Sequence, residues 1–391
     1  MFQRDRLHLF LQIGVLTLAR LFLNTGIRMA YPFLPELARG LGTTDQAVAR
    51  LVSIRSFAGV LSPLFSPLSE RYGRRLALIL GMLLFCAGCF LVALWPSYWF
   101  LGLSLTAIGI GKVIFDPAMQ AYLGDVVPYR HRGKALSVTE LAWAGAFFLG
   151  VPAVALVIGR MGWQAPFLWL GLLGVGAILL IWRVLPPAHS QAAQVVGLSG
   201  LLQTVGRNPV IWAAAVYVML VMVANEILLI VYGSWMESAF QLDLAGLGLA
   251  TTVIGLAEVS GEITTGFAVD RFGKRPVVIL FGLLTAFVYL LIPHISLSLT
   301  AALASLFLLF FCFEMTVVGG VPLMTELVPT ARSVVLSVVL AAAGLGRALG
   351  AFIGPVVWDR VGFQGLGVIT AVIMALAVVV LALWVRESKT G

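Results

Sequence analysis

The sequence predicts an all-α membrane protein: twelve transmembrane helices in two pseudo-symmetric six-helix bundles. Three observations predict it. Hydrophobic residues make up 61% of the 391 and charged residues only 11%, against about a quarter charged in a soluble chain. A chain so apolar cannot cover a water-facing surface, so its solvent is lipid. The apolar residues come in runs of about 20 or more. That is the length of a helix crossing a hydrocarbon core of roughly 30 Å, not the short alternating segment of a barrel. The chain also repeats itself at a shift of about 200 residues, as duplicated membrane bundles do.

The runs fall in order along the chain. The first, about 8–34, follows Arg4 and Arg6 and reads as a span rather than a cleaved leader. Spans 2 to 6 follow at about 46–68, 76–95, 99–124, 135–158 and 164–184. A polar stretch over 185–207, with Pro186, Pro187 and several Gln and Ser, reads as a linker between an N-terminal bundle (1–184) and a C-terminal one (208–391). Spans 7 to 12 are expected at about 209–233, 244–268, 276–293, 298–324, 333–357 and 364–385.

The net charge of +8 does not point to nucleic acid, because the basic residues sit in short clusters between spans. Connections on one side carry Arg71, Arg74, Arg75, Arg130, Arg132, Lys134, Arg183, Arg207, Arg271, Lys274, Arg275 and Arg332, and the tails add Arg4, Arg6, Arg386 and Lys389. The opposite side carries only Arg39, Arg160 and Arg360. The positive-inside rule then puts both termini and the linker in the cytoplasm, in a plasma (inner) membrane protein.

The repeat is readable residue by residue. Ser66-Pro-Leu-Ser-Glu70-Arg71-Tyr-Gly73-Arg74-Arg75 after span 2 matches Gly266-Phe-Ala-Val-Asp270-Arg271-Phe-Gly273-Lys274-Arg275 after span 8. Asp125-Val-Val-Pro128 matches Glu326-Leu-Val-Pro329, and Gly162-Trp163-Gln164 matches Gly362-Phe363-Gln364. A carboxylate at a helix end can accept from arginines and from a neighbouring helix N-terminus. Glu70, Arg71, Gly73, Arg74, Arg132, Glu140, Asp270, Arg271, Gly273 and Lys274 are therefore read as a conformational latch, Glu140 with Arg132. Positive-inside anchoring alone would also account for many of the basic residues.

These paired loops resemble the signature loop of the major facilitator superfamily. The copy at 266–275 is complete, whereas the copy at 66–75 has Ser66 for glycine and Glu70 for aspartate. Gly150-Val-Pro152 and the Gly162-Trp-Gln-Ala-Pro-Phe167 run look like the twelve-span drug:proton antiporter and sugar-efflux branch, though the span 4 arginine of that branch is absent. The resemblance implies two bundles that rock around a central site lined by spans 1, 4, 7 and 10.

Ionisable residues inside spans carry the functional signal, since each costs about 2.5–3.5 kcal/mol on insertion scales and so is paired, functional or both. Arg20, Asn24 and Arg28 recur every four residues and form one stripe on span 1. Lys112 and Asp116, four apart on span 4, can pair. With Arg55, Asn225, Glu226, Glu314 and Arg347 these are the candidate substrate contacts; Arg20, Arg28 and Arg55 suit a carboxylate or phosphate, or else cross-brace spans 1 and 2. Glu258 and Glu262 share a face of span 8, and two carboxylates in low dielectric cannot both ionise cheaply. That pair, with Glu226 and Glu314, forms the proton-coupling set; the alternative is a structural contact to Arg347 for the span 8 pair and interhelical pairing for Glu226 and Glu314. Trp143 and Tyr217 are candidate cavity aromatics among mostly packing and interface rings.

The chain has no Gly-x-x-x-x-Gly-Lys-Ser/Thr loop for ATP, no metal-ligand cluster and no nucleophile–base constellation. Cys86, Cys89 and Cys312 read as apolar packing residues. An enzyme and a cofactor are not expected. The expected function is a monomeric, proton-coupled secondary transporter of efflux type, with a small-molecule or lipid-like substrate, protons and the bilayer as its partners. A lipid or lysolipid translocase and a non-transporting membrane receptor are the alternatives.

Overall fold

The computed structural model describes residues 2–186, 208–328 and 332–385. Most of the linker expected over 185–207, with His189 and Arg207, lies outside the described residues, as do Pro329, Arg386 and Lys389. Within them every regular element is helical. Among the described residues ten helices are long and apolar enough to cross a membrane.

The other two expected spans are present in altered form. Span 2 is broken into a helix Asp45–Phe57, a 3-10 turn Ala58–Leu61 and a helix Ser62–Tyr72. Proline near the start of the last piece has no N–H to donate back into the preceding turn, which favours the break. Spans 11 and 12 run together as Arg332–Trp384 and are divided at Gly362, where φ is 64° and ψ −171°. Only glycine adopts that conformation readily.

The remaining spans lie close to where the sequence puts them, except that span 1 ends at Arg28 rather than near 34 and span 7 runs on to Phe240. Span 1 is Phe2–Arg28, span 3 Arg74–Leu94, span 4 Tyr98–Val126 and span 6 Ala165–Val184. Span 5 is a helix Tyr129–Gly145 continued through a π turn Ala146–Gly150 into Val151–Met161. Spans 7 to 10 are Pro209–Phe240, Leu244–Phe272, Lys274–Ile295 and Leu299–Glu326.

The repeat seen in the sequence is also a repeat of local chemistry. Ser97 caps span 4 by accepting from the Phe100 amide, and Ser298 caps span 10 by accepting from the Ala301 amide. Gly73 and Gly273 each hold a positive φ, 89° and 86°, at the one-residue corner between consecutive helices. Such a corner reverses the chain with no loop at all, and a Cβ there would clash with the backbone.

The chain divides into two compact units, residues 1–195 with 243–252, and residues 196–242 with 253–391. In the first, Leu16, Leu23, Phe85, Phe115 and Phe147 are fully buried between spans 1, 3, 4 and 5. There the Phe147 carbonyl, in the π turn, accepts from Thr251 Oγ1 at 3.1 Å, so a backbone acceptor displaced from the helical ladder is still satisfied. In the second unit, Ile227, Met236, Tyr289, Phe310 and Leu381 are buried.

Candidate functional site

The first unit holds a buried ionic network that joins spans 1, 4 and 5. Arg20 Nε donates to Asp116 Oδ1 at 3.2 Å, and Arg20 Nη1 lies 2.8 Å from Glu140 Oε1 and donates to the Thr139 carbonyl at 2.9 Å. Lys112 Nζ lies 2.7 Å from Asp116 Oδ2 and donates to Asn24 Oδ1, also at 2.7 Å. Two cations thus face two carboxylates. Mutual neutralisation and charge-assisted hydrogen bonds offset the cost of drawing these charges out of water.

The helical period of span 1 explains why Arg20 and Asn24 enter this network together. They are four residues apart, so they project from one face, and Arg20 meets Asp116 while Asn24 meets Lys112 on the same period of span 4. The expected Lys112–Asp116 pair is present. Glu140 requires a correction: grouped with Arg132 in the latch by sequence, its carboxylate binds Arg20 and belongs to the buried network. The side-chain direction from span 5 decides this, and spacing along the chain does not contain it.

Arg28 and Arg55 are set differently. Arg28 is buried with its guanidinium carbon 4.3 Å from the Trp143 ring centroid and 3.5 Å from that of Phe147, and it donates to the Trp143 carbonyl at 3.0 Å. Ring faces carry negative quadrupole density, so the two aromatics hold the cation. Lys112 Nζ lies 5.2 Å from the centre of the same Trp143 ring. Arg55, on span 2, donates to the Ile27 carbonyl at 2.7 Å and to the Tyr31 hydroxyl at 3.0 Å. It therefore braces span 2 against span 1.

In the second unit, Glu226 and Glu258 are almost wholly buried, 1% and 4% exposed, with Asn225 beside the first. Glu262, Glu314 and Arg347 are partly exposed. None of Glu226, Glu258, Glu262, Glu314 and Arg347 is without a polar or electrostatic contact. Two glycines make room for the carboxylates. A Cβ added at Gly350 on span 11 would lie 2.6 Å from Glu226 Cβ, and one at Gly261 on span 8 would lie 2.8 Å from Glu314 Cβ. Glu314 therefore sits against the stretch of span 8 that carries Glu258 and Glu262.

The paired loops are built twice on one plan. Arg74 Nε donates to Asp125 Oδ2 at 3.2 Å, and Lys274 binds Glu326. Arg75 donates to the Trp182 carbonyl near the end of span 6, and Arg275 to the Ala382 and Val385 carbonyls at the end of span 12. Cations at these positions complement the negative end of the helix dipole. Each of these ties closes within one unit. Among the described residues Glu70, Arg71, Asp270 and Arg271 form no salt bridge; Arg71 and Arg271 stack near Tyr72 and Phe272. Arg132 donates Nε to the Val127 carbonyl at 3.1 Å.

The profile of the Major Facilitator Superfamily matches residues 16–232 and 215–391, which together take in nearly the whole chain. The chain belongs to the major facilitator superfamily. It is similar to the uncharacterized MFS-type transporter YwfA of Bacillus subtilis (strain 168), 27% identical over 89% of this chain and 85% of that protein. It is also similar to a probable sugar efflux transporter of Pasteurella multocida (strain Pm70), 24% identical over 98% of this chain and 95% of that protein. The crystal structure of a D-xylose-proton symporter superposes with a TM-score of 0.79 at 16% identity, covering 98% and 99% of the two chains. That likeness shows the all-α fold, and membership of the superfamily makes the chain a multi-pass membrane transporter.

For this superfamily member, sequence reasoning left Asp125, Glu326, Arg75, Arg275 and Ser69 out of the candidate site. Ser69 Oγ accepts from Arg74 Nη1 at 2.8 Å. A signal was present for the acids, since Asp125 and Glu326 occupy matching places in the two halves. Nothing in the sequence distinguished their partners, which lie 51 and 52 residues away.

Proposed function

We propose that this transporter is a secondary active exporter of a small organic or amphipathic substrate, driven by proton exchange and working by alternating access. The observation that carries the reading is the burial of Glu226 and Glu258 within transmembrane helices of the second unit. A carboxylate held out of water and lipid-solvated charge is expensive, and taking up a proton removes that expense. Glu262 lies one helical turn from Glu258, and Glu314 packs against Gly261 between them; with Glu226 they form the set read as loading and releasing protons. A proton bound more tightly in one conformation than in another biases the exchange between them.

The charged network of the first unit is balanced in sign, so Arg20, Lys112, Asp116 and Glu140 serve as a fixed polar lining with Asn24. Export is supported by the likeness to a probable sugar efflux transporter. The excess of Arg and Lys on one set of connections supports cytoplasmic termini.

The test is proton flux into liposomes that hold purified protein and a pH-sensitive dye, with sugars, amphipathic cations, anions and lysolipids added in turn. Substrate-dependent flux that disappears in Glu226→Gln or Glu314→Gln is the expected result. Substrate movement without proton movement would replace coupling by uniport, or by lipid translocation where only the lysolipids move.

A further inference from the structure

We infer that Arg55 and the amide of Asn24 form a binding site for an anionic group on the substrate, a carboxylate or a phosphate. The inference rests on the chain being a transporter and names the class of molecule it takes. The first observation is that Arg55 is a buried cation, 4% exposed, whose hydrogen bonds go to neutral acceptors, Ile27 O and Tyr31 Oη. No carboxylate among the described residues pairs with it. That sets it apart from Arg20 and Lys112, which each have an acidic partner in the same unit.

Arg55 has a structural duty, but that duty does not use up its charge. Span 1 ends at Arg28, and the Tyr31 amide turns to the Arg28 carbonyl, so Ile27 O lacks its usual donor four residues on. Arg55 satisfies it. A helix end offers only about half a negative charge, however, and capping it takes one of the five N–H groups on a guanidinium. A neutral donor would do the same work without the cost of burying a full cation.

The second observation is independent of the first. Asn24 is fully buried; its Oδ1 accepts from Lys112, which fixes the orientation of the amide, and its Nδ2 donor has no partner. Buried donors are nearly always satisfied, and no protein group does so here, which leaves this donor available to an acceptor from outside the chain. Asn24 precedes Ile27 by three residues, which places it one helical turn from the carbonyl that Arg55 holds. Span 4 clamps both residues from one face. A Cβ on Gly109 would lie 2.9 Å from Arg55 Cγ, and Lys112, three residues on, holds Asn24. A guanidinium with no carboxylate partner, held one helical turn along span 1 from an orphan amide donor, fits an oxyanion, which can accept from both and supply the balancing negative charge.

The test is thermal stabilisation of the full-length protein in neutral detergent by four probes of similar shape: benzoate, phenylphosphonate, benzamide and benzylammonium. Lysophosphatidylglycerol, set against lysophosphatidylcholine, is tested in parallel. Benzoate and phenylphosphonate are expected to raise Tm, while benzamide and benzylammonium do not. Arg55→Gln should weaken that protection at least about tenfold in concentration, and Arg55→Lys less so. Asn24→Leu tests the second donor and carries the experiment if Arg55→Gln does not fold. Protection by lysophosphatidylglycerol but not by the small anions would assign the oxyanion to a lipid headgroup. Protection by benzylammonium, protection by none of the probes, or protection unchanged in folded Arg55→Gln and Asn24→Leu would overturn the proposal. Proton-coupled transport of cations alone would sink the anion site and leave the transporter reading standing. Anion binding without any transport would do the reverse.

Discussion

Arg20 on span 1 and Glu140 on span 5 are joined by an ion pair of 2.8 Å. The same guanidinium reaches Asp116 on span 4, so one buried side chain ties three helices. Removing a single member of such a set leaves an uncompensated charge, whereas removing a matched pair does not.

Asp116→Asn should therefore destabilise the protein by about 3 kcal/mol, because Lys112 and Arg20 both lose their shared carboxylate. The double variant Lys112→Met/Asp116→Asn, which keeps the Arg20–Glu140 pair, should recover part of that loss. Thermal unfolding followed by size-exclusion chromatography reads both. Additive losses in the double variant would mean that the four groups do not act as one network.

The corners at Gly73 and Gly273 have the same backbone shape, with ψ of 149° and 153°. Alanine at either position should cost about 1–3 kcal/mol, and by similar amounts in the two halves. A Gly273→Ala protein as stable as the unmodified chain would show that this corner relaxes without penalty.

Arg74 and Asp125 should be exchangeable. Each single charge reversal is expected to lower Tm, and the swap Arg74→Asp/Asp125→Arg should restore part of it. The pair itself is worth about 1 kcal/mol or less, since the Asp125 side chain is 47% exposed. Arg74→Ala should cost more than Asp125→Ala, because Arg74 also bonds the buried Ser69 hydroxyl. Equal losses would assign Arg74 no role beyond the ion pair.

Gly350→Ala brings a methyl group within 2.6 Å of Glu226 Cβ and 2.8 Å of the Val223 carbonyl. Overpacking of this kind costs about 1–3 kcal/mol. Transport should fall by more than the loss of folded protein accounts for, since Glu226 is displaced. Transport per folded molecule, measured in liposomes, checks this; an unchanged value would separate Glu226 from the transport cycle.

Much of the fold is legible in the amino-acid sequence. Spans 3, 6 and 9 follow from nearly uninterrupted apolar runs, and the matching loops at 66–75 and 266–275 expose the duplication. Span 2 was expected as a single helix but is broken over Ala58–Leu61. The site was legible in part. Arg20, Lys112 and Asp116 stand out because a charge inside an apolar run is costly, and Asn24 because it shares the four-residue period of Arg20 and Arg28. Glu140 was seen but misplaced, and Asp125 and Glu326 were noticed only as matching positions.

The sequence by itself determined the solvent, the helical class, the two-fold repeat and the inventory of buried charge. Those are properties of run length, composition and period, and each is local. The tertiary structure alone decided which charges meet: Arg20 with Glu140 as well as Asp116, Arg74 with Asp125, Arg55 with the end of span 1. Pairing across 96 or 51 residues depends on how far each helix is rotated and shifted against its neighbours. That is set by the packing of many apolar side chains at once, and no spacing within one helix encodes it.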